Sequence, residues 1–270
     1  MTKIGIFDSG LGGLSVWKEL NRLLPDTDMV YVADSGRCPY GPRPTEEIIS
    51  FSREITEFLI SEGCGLIIVG CNTATAASIR ILRKEYQLPF VGMEPALKPA
   101  VAASRTGVIG ILATEGTFRG THFQDTKATY AADATLLLQV GHRLVDFVET
   151  GQLTGDDVRV CLEAYLLPML EKKADQIVLG CSHYPFLKDT MNAIVGDQAR
   201  IIDPAPAVAR QAAKVWANTG YPSAGNGQTF FSSGDLQQLK GFLSVIAPAQ
   251  SYDVRKLYRP DSPFQNPQAG

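Results

Sequence analysis

Short apolar runs rich in Val, Ile and Leu alternate with longer stretches of helical period along nearly the whole chain, and this alternation restricts it to an α/β fold on mostly parallel sheet. The strand-like runs cover 3–8, 29–34, 66–70, 89–93, 107–112, 136–140, 176–180, 200–203 and 228–232. Helical periodicity covers 14–24, 45–62, 73–85, 156–172, 186–195 and 205–218.

Within this pattern lies a weak internal repeat. GLIIVGCNT (65–73) is echoed by QIVLGCSH (176–183), each an apolar strand ending in Gly-Cys, and IGIFDSG (4–10) is echoed by VIGILATEGT (108–117). Two echoes about half a chain apart predict two pseudo-symmetric α/β lobes, each a mostly parallel sheet flanked by helices, with an active site in the cleft between them. Residues 1–95 with about 208–270 are assigned to the first lobe and 96–207 to the second, the crossings falling at Glu94-Pro95 and Asp203-Pro204, where proline biases the preceding residue toward extended backbone. The tail from Ser251, with three prolines and many polar residues, reads as irregular or partly disordered.

Composition narrows the function classes. A chain of 270 residues with 45% hydrophobic content can fill cores of this size, and 25 basic against 28 acidic residues leave a formal charge of −3. That balance gathers neither nucleic acid nor anionic membrane, so any anionic ligand is held by local donors. MTKIGIFDSG does not read as a signal peptide, and no run approaches the roughly 18 apolar residues of a membrane helix. Five cysteines without a CxxC pair suit free thiols in a reducing cytoplasm.

Several residues could carry chemistry. Cys71 follows a strand and precedes the small-residue stretch NTATAA, which places its thiol at a strand's carboxyl end and near a helix N-terminus, where the helix is expected to lower the thiol pKa. A buried structural cysteine is the competing reading. Cys181 repeats the context, with His183 two residues on; His183 could assist proton movement, hold a carboxylate or simply sit satisfied in a turn. Asp8 could accept from a substrate ammonium and Ser9 could donate to a carboxylate, while the glycines at 10, 12 and 13 do not make GxGxxG and give a dinucleotide site little support. In CPYGPRP (38–44), Tyr40 and the Gly41 backbone could meet a carboxylate, as could Thr114, Gly116 and Thr117 after the 107–112 strand; a rigid turn and helix capping explain the same residues.

Taken together, FDSGLGGLSV (7–16), PYG (39–41), CNTATA (71–76), GCSHYPFL (180–187) and IDPA (202–205) resemble the glutamate racemases of the aspartate/glutamate racemase superfamily, over nearly the whole chain. The resemblance implies two α/β domains around one site, cofactor-independent and metal-free interconversion of L- and D-glutamate, and supply of D-glutamate for peptidoglycan. It further implies that Cys71 and Cys181 are the catalytic thiols, that Asp8 and His183 assist them, and that Asp8, Ser9, Tyr40, Gly41, Asn72, Thr73, Ser182 and His183 bind substrate, with Glu149 an acidic neighbour of the second thiol. Ser182 stands where threonine is usual, Cys38 where valine or a similar residue is commoner, and Gly70 where alanine is frequent. Serine keeps the hydroxyl, so that contact is expected to survive.

Moving an α-proton from one face of an amino acid to the other requires a base and an opposed acid, and two tunable thiols supply both. Without an electron sink, hydrogen bonds at the α-carboxylate in a water-poor cleft must steady the carbanion. An aspartate racemase would keep the thiol pair and alter the pocket. A non-catalytic amino-acid-binding protein would share the two lobes but has no use for paired Gly-Cys motifs, and a metal hydrolase built on Cys181 and His183 lacks a further ligand pair of suitable spacing. The partner expected is the small-molecule substrate, glutamate; a homodimer is left open.

Overall fold

The computed structural model describes residues 2–94, 96–221, 225–248 and 252–257. Among these, ten strands follow in chain order: β1 (Lys3–Asp8), β2 (Met29–Ala33), β3 (Cys64–Val69), β4 (Phe90–Gly92), β5 (Val108–Ala113), β6 (Thr135–Val140), β7 (Gln176–Gly180), β8 (Arg200–Ile202), β9 (Gln228–Ser232) and β10 (Asp253–Lys256). They form two sheets, of order β10-β9-β2-β1-β3-β4 and β6-β5-β7-β8, and every pairing is parallel. The repeat is therefore visible in topology. The order β2-β1-β3-β4 matches β6-β5-β7-β8, and each Gly-Cys strand, β3 or β7, lies beside the leading strand of its sheet.

Burial explains why the central strands read as continuous apolar runs. β2 and β7 are buried throughout and β1 over all but its first residue, as expected for parallel strands covered on both faces. Helix Leu14–Leu23 turns Leu14, Val16, Trp17 and Leu20 inward and packs against helix Ala205–Thr219. The chain reaches that second helix directly from β8 through Asp203 and Pro204, Asp203 Oδ1 accepting from the Ala205 N–H at 2.9 Å. Pro95, at the other expected crossing, lies outside the described residues.

Two features differ from the sequence reading. The tail is not wholly irregular: Asp253–Lys256 adds β10 to the edge of the first sheet, while 258–270 lie outside the described residues. Tyr252 anchors this strand, its ring 5.5 Å from Trp17 and 5.1 Å from Phe230. Helices Leu97–Ala103, Glu115–Arg119, Thr121–Tyr130, Leu144–Glu149 and Leu236–Ile246 also escaped the periodicity reading. Three are under eight residues, and Thr121–Tyr130 buries only Phe123 and Thr126, too few to show a repeat. Among the described residues no helix is long and apolar enough to cross a membrane.

Candidate active site

The chemistry-bearing residues converge at the carboxyl ends of the leading and Gly-Cys strands of both sheets, where open α/β sheets bind ligands. Asp8 ends β1, Cys71 follows β3, Thr114 follows β5 and Cys181 follows β7. The two halves touch directly, the Ser182 hydroxyl donating to Asp8 Oδ2 across the divide at 2.7 Å. Serine at 182 thus keeps its hydroxyl in use. The Gly10 N–H donates to Asp8 Oδ1 at 2.8 Å, and burial pushes this carboxyl above its usual range against the opposing influence of His183 and Ser182.

Cys71 caps helix Asn72–Glu85, its sulfur accepting from the Ala74 N–H at 3.4 Å and its thiol donating to Ser9 Oγ at 3.7 Å. The helix end does favour the thiolate, as expected. It does not prevail: burial, with the Asp8 charge added, pushes the thiol up to about 12. Beside it, Asn72 is 3% exposed and neither its amide oxygen nor its amide nitrogen has a hydrogen-bond partner. A buried, unsatisfied amide costs about 1–3 kcal/mol and calls for an explanation. Thr73 Oγ1 lies 2.8 Å from Thr114 Oγ1, which lies 2.9 Å from Thr117 Oγ1, so three hydroxyls form a cluster drawn from both halves.

Cys181 stands in a different setting. Its sulfur is 3.8 Å from His183 Nδ1, and His183 Nε2 is 2.6 Å from Glu149 Oε1. Glu149 is held in turn by the Leu11 N–H at 2.7 Å and by Gln238 Nε2 at 3.2 Å. Burial works against a charged His183, but its hydrogen bonds to Cys181, Cys38 and Glu149 win and hold the imidazolium well above the ordinary histidine range. Cys38 completes this group; burial pushes its thiol up to about 11, partly offset by the His183 hydrogen bond. Cys38, Glu149 and His183 are also the one set of three metal-ligating side chains gathered together among the described residues.

The glycines of the 10–13 turn have a steric reason. A Cβ on Gly10 would lie 2.0 Å from Glu149 Oε1, and one on Gly12 would lie 2.5 Å from both His183 Nδ1 and Ser182 Oγ. Only bare backbone fits against these groups. The buried Tyr40 hydroxyl donates to Asp34, which also binds Arg37 at 2.6 Å. Cavities of about 540 and 1010 Å³ open elsewhere, around Asp175 and around Asp203, and neither reaches the thiols, which are each 4% exposed.

A sequence model described as Asp/Glu/hydantoin racemase matches residues 4–212. The chain belongs to that family. This racemase is 41% identical over 257 residues to the glutamate racemase of Ralstonia pickettii (strain 12J), covering 93% of this chain and 91% of that protein. It is also similar to the crystal structure of glutamate racemase isoform RacE1 from Bacillus anthracis, with TM-score 0.87 and 29% identity over 96% of this chain and 98% of that one. The Escherichia coli glutamate racemase in complex with L-glutamate and the activator UDP-MurNAc-Ala superposes with TM-score 0.83 and 28% identity, over 95% and 98% of the respective chains.

The sequence reading named Asp8, Ser9, Cys71, Asn72, Thr73, Thr114, Thr117, Glu149, Cys181, Ser182 and His183, and the fold gathers them around one junction. It missed Gln238 and the Leu11 N–H, and it mentioned Cys38 only as an odd residue in a loop. Nothing local to Gln238 signals its part, because helix Leu236–Ile246 reaches Glu149 from 89 positions away.

Proposed function

We propose that the chain interconverts L- and D-glutamate without a cofactor, Cys71 and Cys181 alternating as base and acid on opposite faces of the α-carbon, and so supplies D-glutamate for peptidoglycan in a reducing cytoplasm. The observation that carries this reading is the pair of buried thiols at matching strand ends of two sheets joined by the Ser182–Asp8 hydrogen bond. The lobes are taken as 1–95 with about 208–270, and 96–207.

Each neighbouring group has work in such a reaction. The unpartnered Asn72 amide offers one donor and one acceptor to the substrate backbone, and the cluster of Thr73, Thr114 and Thr117 offers hydroxyls to a carboxylate. Asp8 receives the ammonium. That cation would oppose the Asp8 charge that, with burial, holds Cys71 near 12, so substrate binding itself would ready the thiol for deprotonation. His183 and Glu149 would carry the proton traffic at Cys181. Fixed donors in a dry site then steady the carbanion. With both thiols covered, glutamate enters only when the loops over the site part.

The test follows circular dichroism of the purified protein with each enantiomer of glutamate and of aspartate, in ordinary and deuterated water. Either glutamate enantiomer is expected to decay to the racemate, with solvent deuterium in the product and little in substrate recovered at low conversion. Decay of aspartate alone would transfer the activity to the other substrate, and unlabelled product would rule out the two-thiol scheme.

A further inference from the structure

We propose that Cys38, Glu149 and His183 form a site for a thiophilic divalent cation, zinc above all, whose occupation withdraws His183 from Cys181 and reversibly silences that half of the active site. Cys38 comes from the loop after β2, Glu149 from the end of helix Leu144–Glu149 and His183 from the turn after β7, yet their ligand atoms all lie within 4.8 Å of one another. Sulfur, imidazole nitrogen and carboxylate oxygen are the donors that tetrahedral zinc prefers, and in such a site they stand about 3.5 Å apart. Closing this group around an ion takes side-chain shifts of about an ångström, with no change of fold.

Three features make the cluster more than a chance meeting. Glu149 keeps its Leu11 and Gln238 donors when its bond to His183 is given up, so the carboxylate stays aimed, which is the role of supporting hydrogen bonds around a metal. The bare backbone at Gly10 and Gly12 forms a wall against Glu149 and His183, limiting where these groups can go. Cys181 lies 3.8 Å from His183 Nδ1 and is at hand as a fourth donor. On binding, the Cys38 thiol proton and one ring proton of the His183 imidazolium pass to solvent, and the His183–Glu149 hydrogen bond is exchanged for two bonds to the ion. The Cys71 side, with Ser9, Asp8 and the Ala74 N–H around the sulfur, offers no such set among the described residues.

The binding arm of the test does not depend on the racemase reading. Calorimetric titration of the full chain with zinc chloride, in a phosphine reductant, should give one site per chain. Cobalt in place of zinc should produce a thiolate-to-metal absorption. Cys38→Ser keeps a hydrogen-bonding group of similar size but is a poor zinc ligand; it should weaken zinc at least roughly tenfold, the lower end of what even a supporting group is worth, and dim the cobalt band. Cys38→Val should do the same, and Cys161→Ala should change neither. Folding is checked by far-ultraviolet dichroism, and two Cys38 variants guard against the failure of one. Unchanged affinity in a folded Cys38 variant, or no zinc bound by the parent protein, overturns the proposal. In the activity arm, which does rest on the racemase reading, zinc should inhibit, chelator should restore, and Cys38→Ser should need at least roughly tenfold more zinc. A protein that binds zinc through Cys38 but racemises nothing defeats the function and leaves the site; one that racemises but binds no zinc does the reverse.

Discussion

Cys71 and Cys181 occupy equivalent places after β3 and β7, yet the groups around them differ in kind. Around Cys71 are a helix N-terminus with its partial positive charge, a serine and a carboxylate, none of them a full cation, and the thiol is held near 12. Around Cys181 are an imidazolium and the carboxylate that braces it. A repeated backbone has thus placed two sulfurs symmetrically, while side chains from outside the repeat, Cys38, Glu149 and Gln238, have made their surroundings unequal. One thiol awaits a cation from its substrate; the other has one built in.

The strongest way to break this comparison is to remove each thiol in turn. Cys71→Ala and Cys181→Ala are each expected to lower kcat/KM by roughly 10²- to 10⁴-fold with the fold intact. Because the two substrates are mirror images, the equilibrium constant is unity and kcat/KM must fall equally in both directions. The inequality appears instead in α-proton exchange with deuterated water: each variant should wash out the proton of one enantiomer only, and the two variants should choose opposite ones. Exchange of both enantiomers by either variant would show that the thiols are not face-specific. Cys64→Ala, at the first residue of β3, and Cys161→Ala, whose thiol donates to the His142 carbonyl, should leave turnover little changed and serve as controls.

A smaller effect sharpens the Cys71 side. Asn72→Ala removes two buried polar atoms that have no partner in the free protein, so thermal stability should hold or rise, while KM rises roughly tenfold, the equivalent of about 1.4 kcal/mol. A fall in Tm with KM unchanged would make Asn72 a structural residue.

The smallest expected effect is on stability, at the Cys181 side. The folded-state pKa of His183 is raised well above 6.5, so its stabilisation is complete below pH 6.5 and is lost as pH climbs through the folded value. Thermal melts of the parent and His183→Gln should differ most in the acid range and converge toward alkaline pH. Parallel curves would mean that folding leaves the His183 pKa unchanged, and a difference widening toward alkaline pH would mean that His183 is held neutral; either outcome removes the built-in cation.

The sequence carried the parts of this design that repeat or alternate. Buried parallel strands leave uninterrupted Val, Ile and Leu, and a thiol after Gly at two strand ends is a local signature, so β3, β7 and the thiols were legible. Short helices such as Leu144–Glu149 were not, because six residues hold fewer than two turns of period, and Glu149 was named only through family likeness. β10 was hidden among prolines and charges, since an edge strand need bury little, and here only Val254 is half-buried. Least legible was the meeting of Cys38 with His183, which depends on how two loops 145 positions apart are brought together by the sheets behind them.

The strand order also dictates a timetable for folding. β5 to β8 form one unbroken stretch of chain and can pair as soon as residue 202 has been made, whereas the first sheet gains β9 and β10 only after that whole stretch has been synthesised. On a ribosome adding roughly 5–20 residues each second, β2 therefore waits about 10–40 s before Phe230 and Tyr252 arrive to close over Trp17. An unpaired parallel edge is where chains adhere to one another. Trp17, fully buried in the finished protein, is thus among the residues a chaperone has most reason to shelter during synthesis.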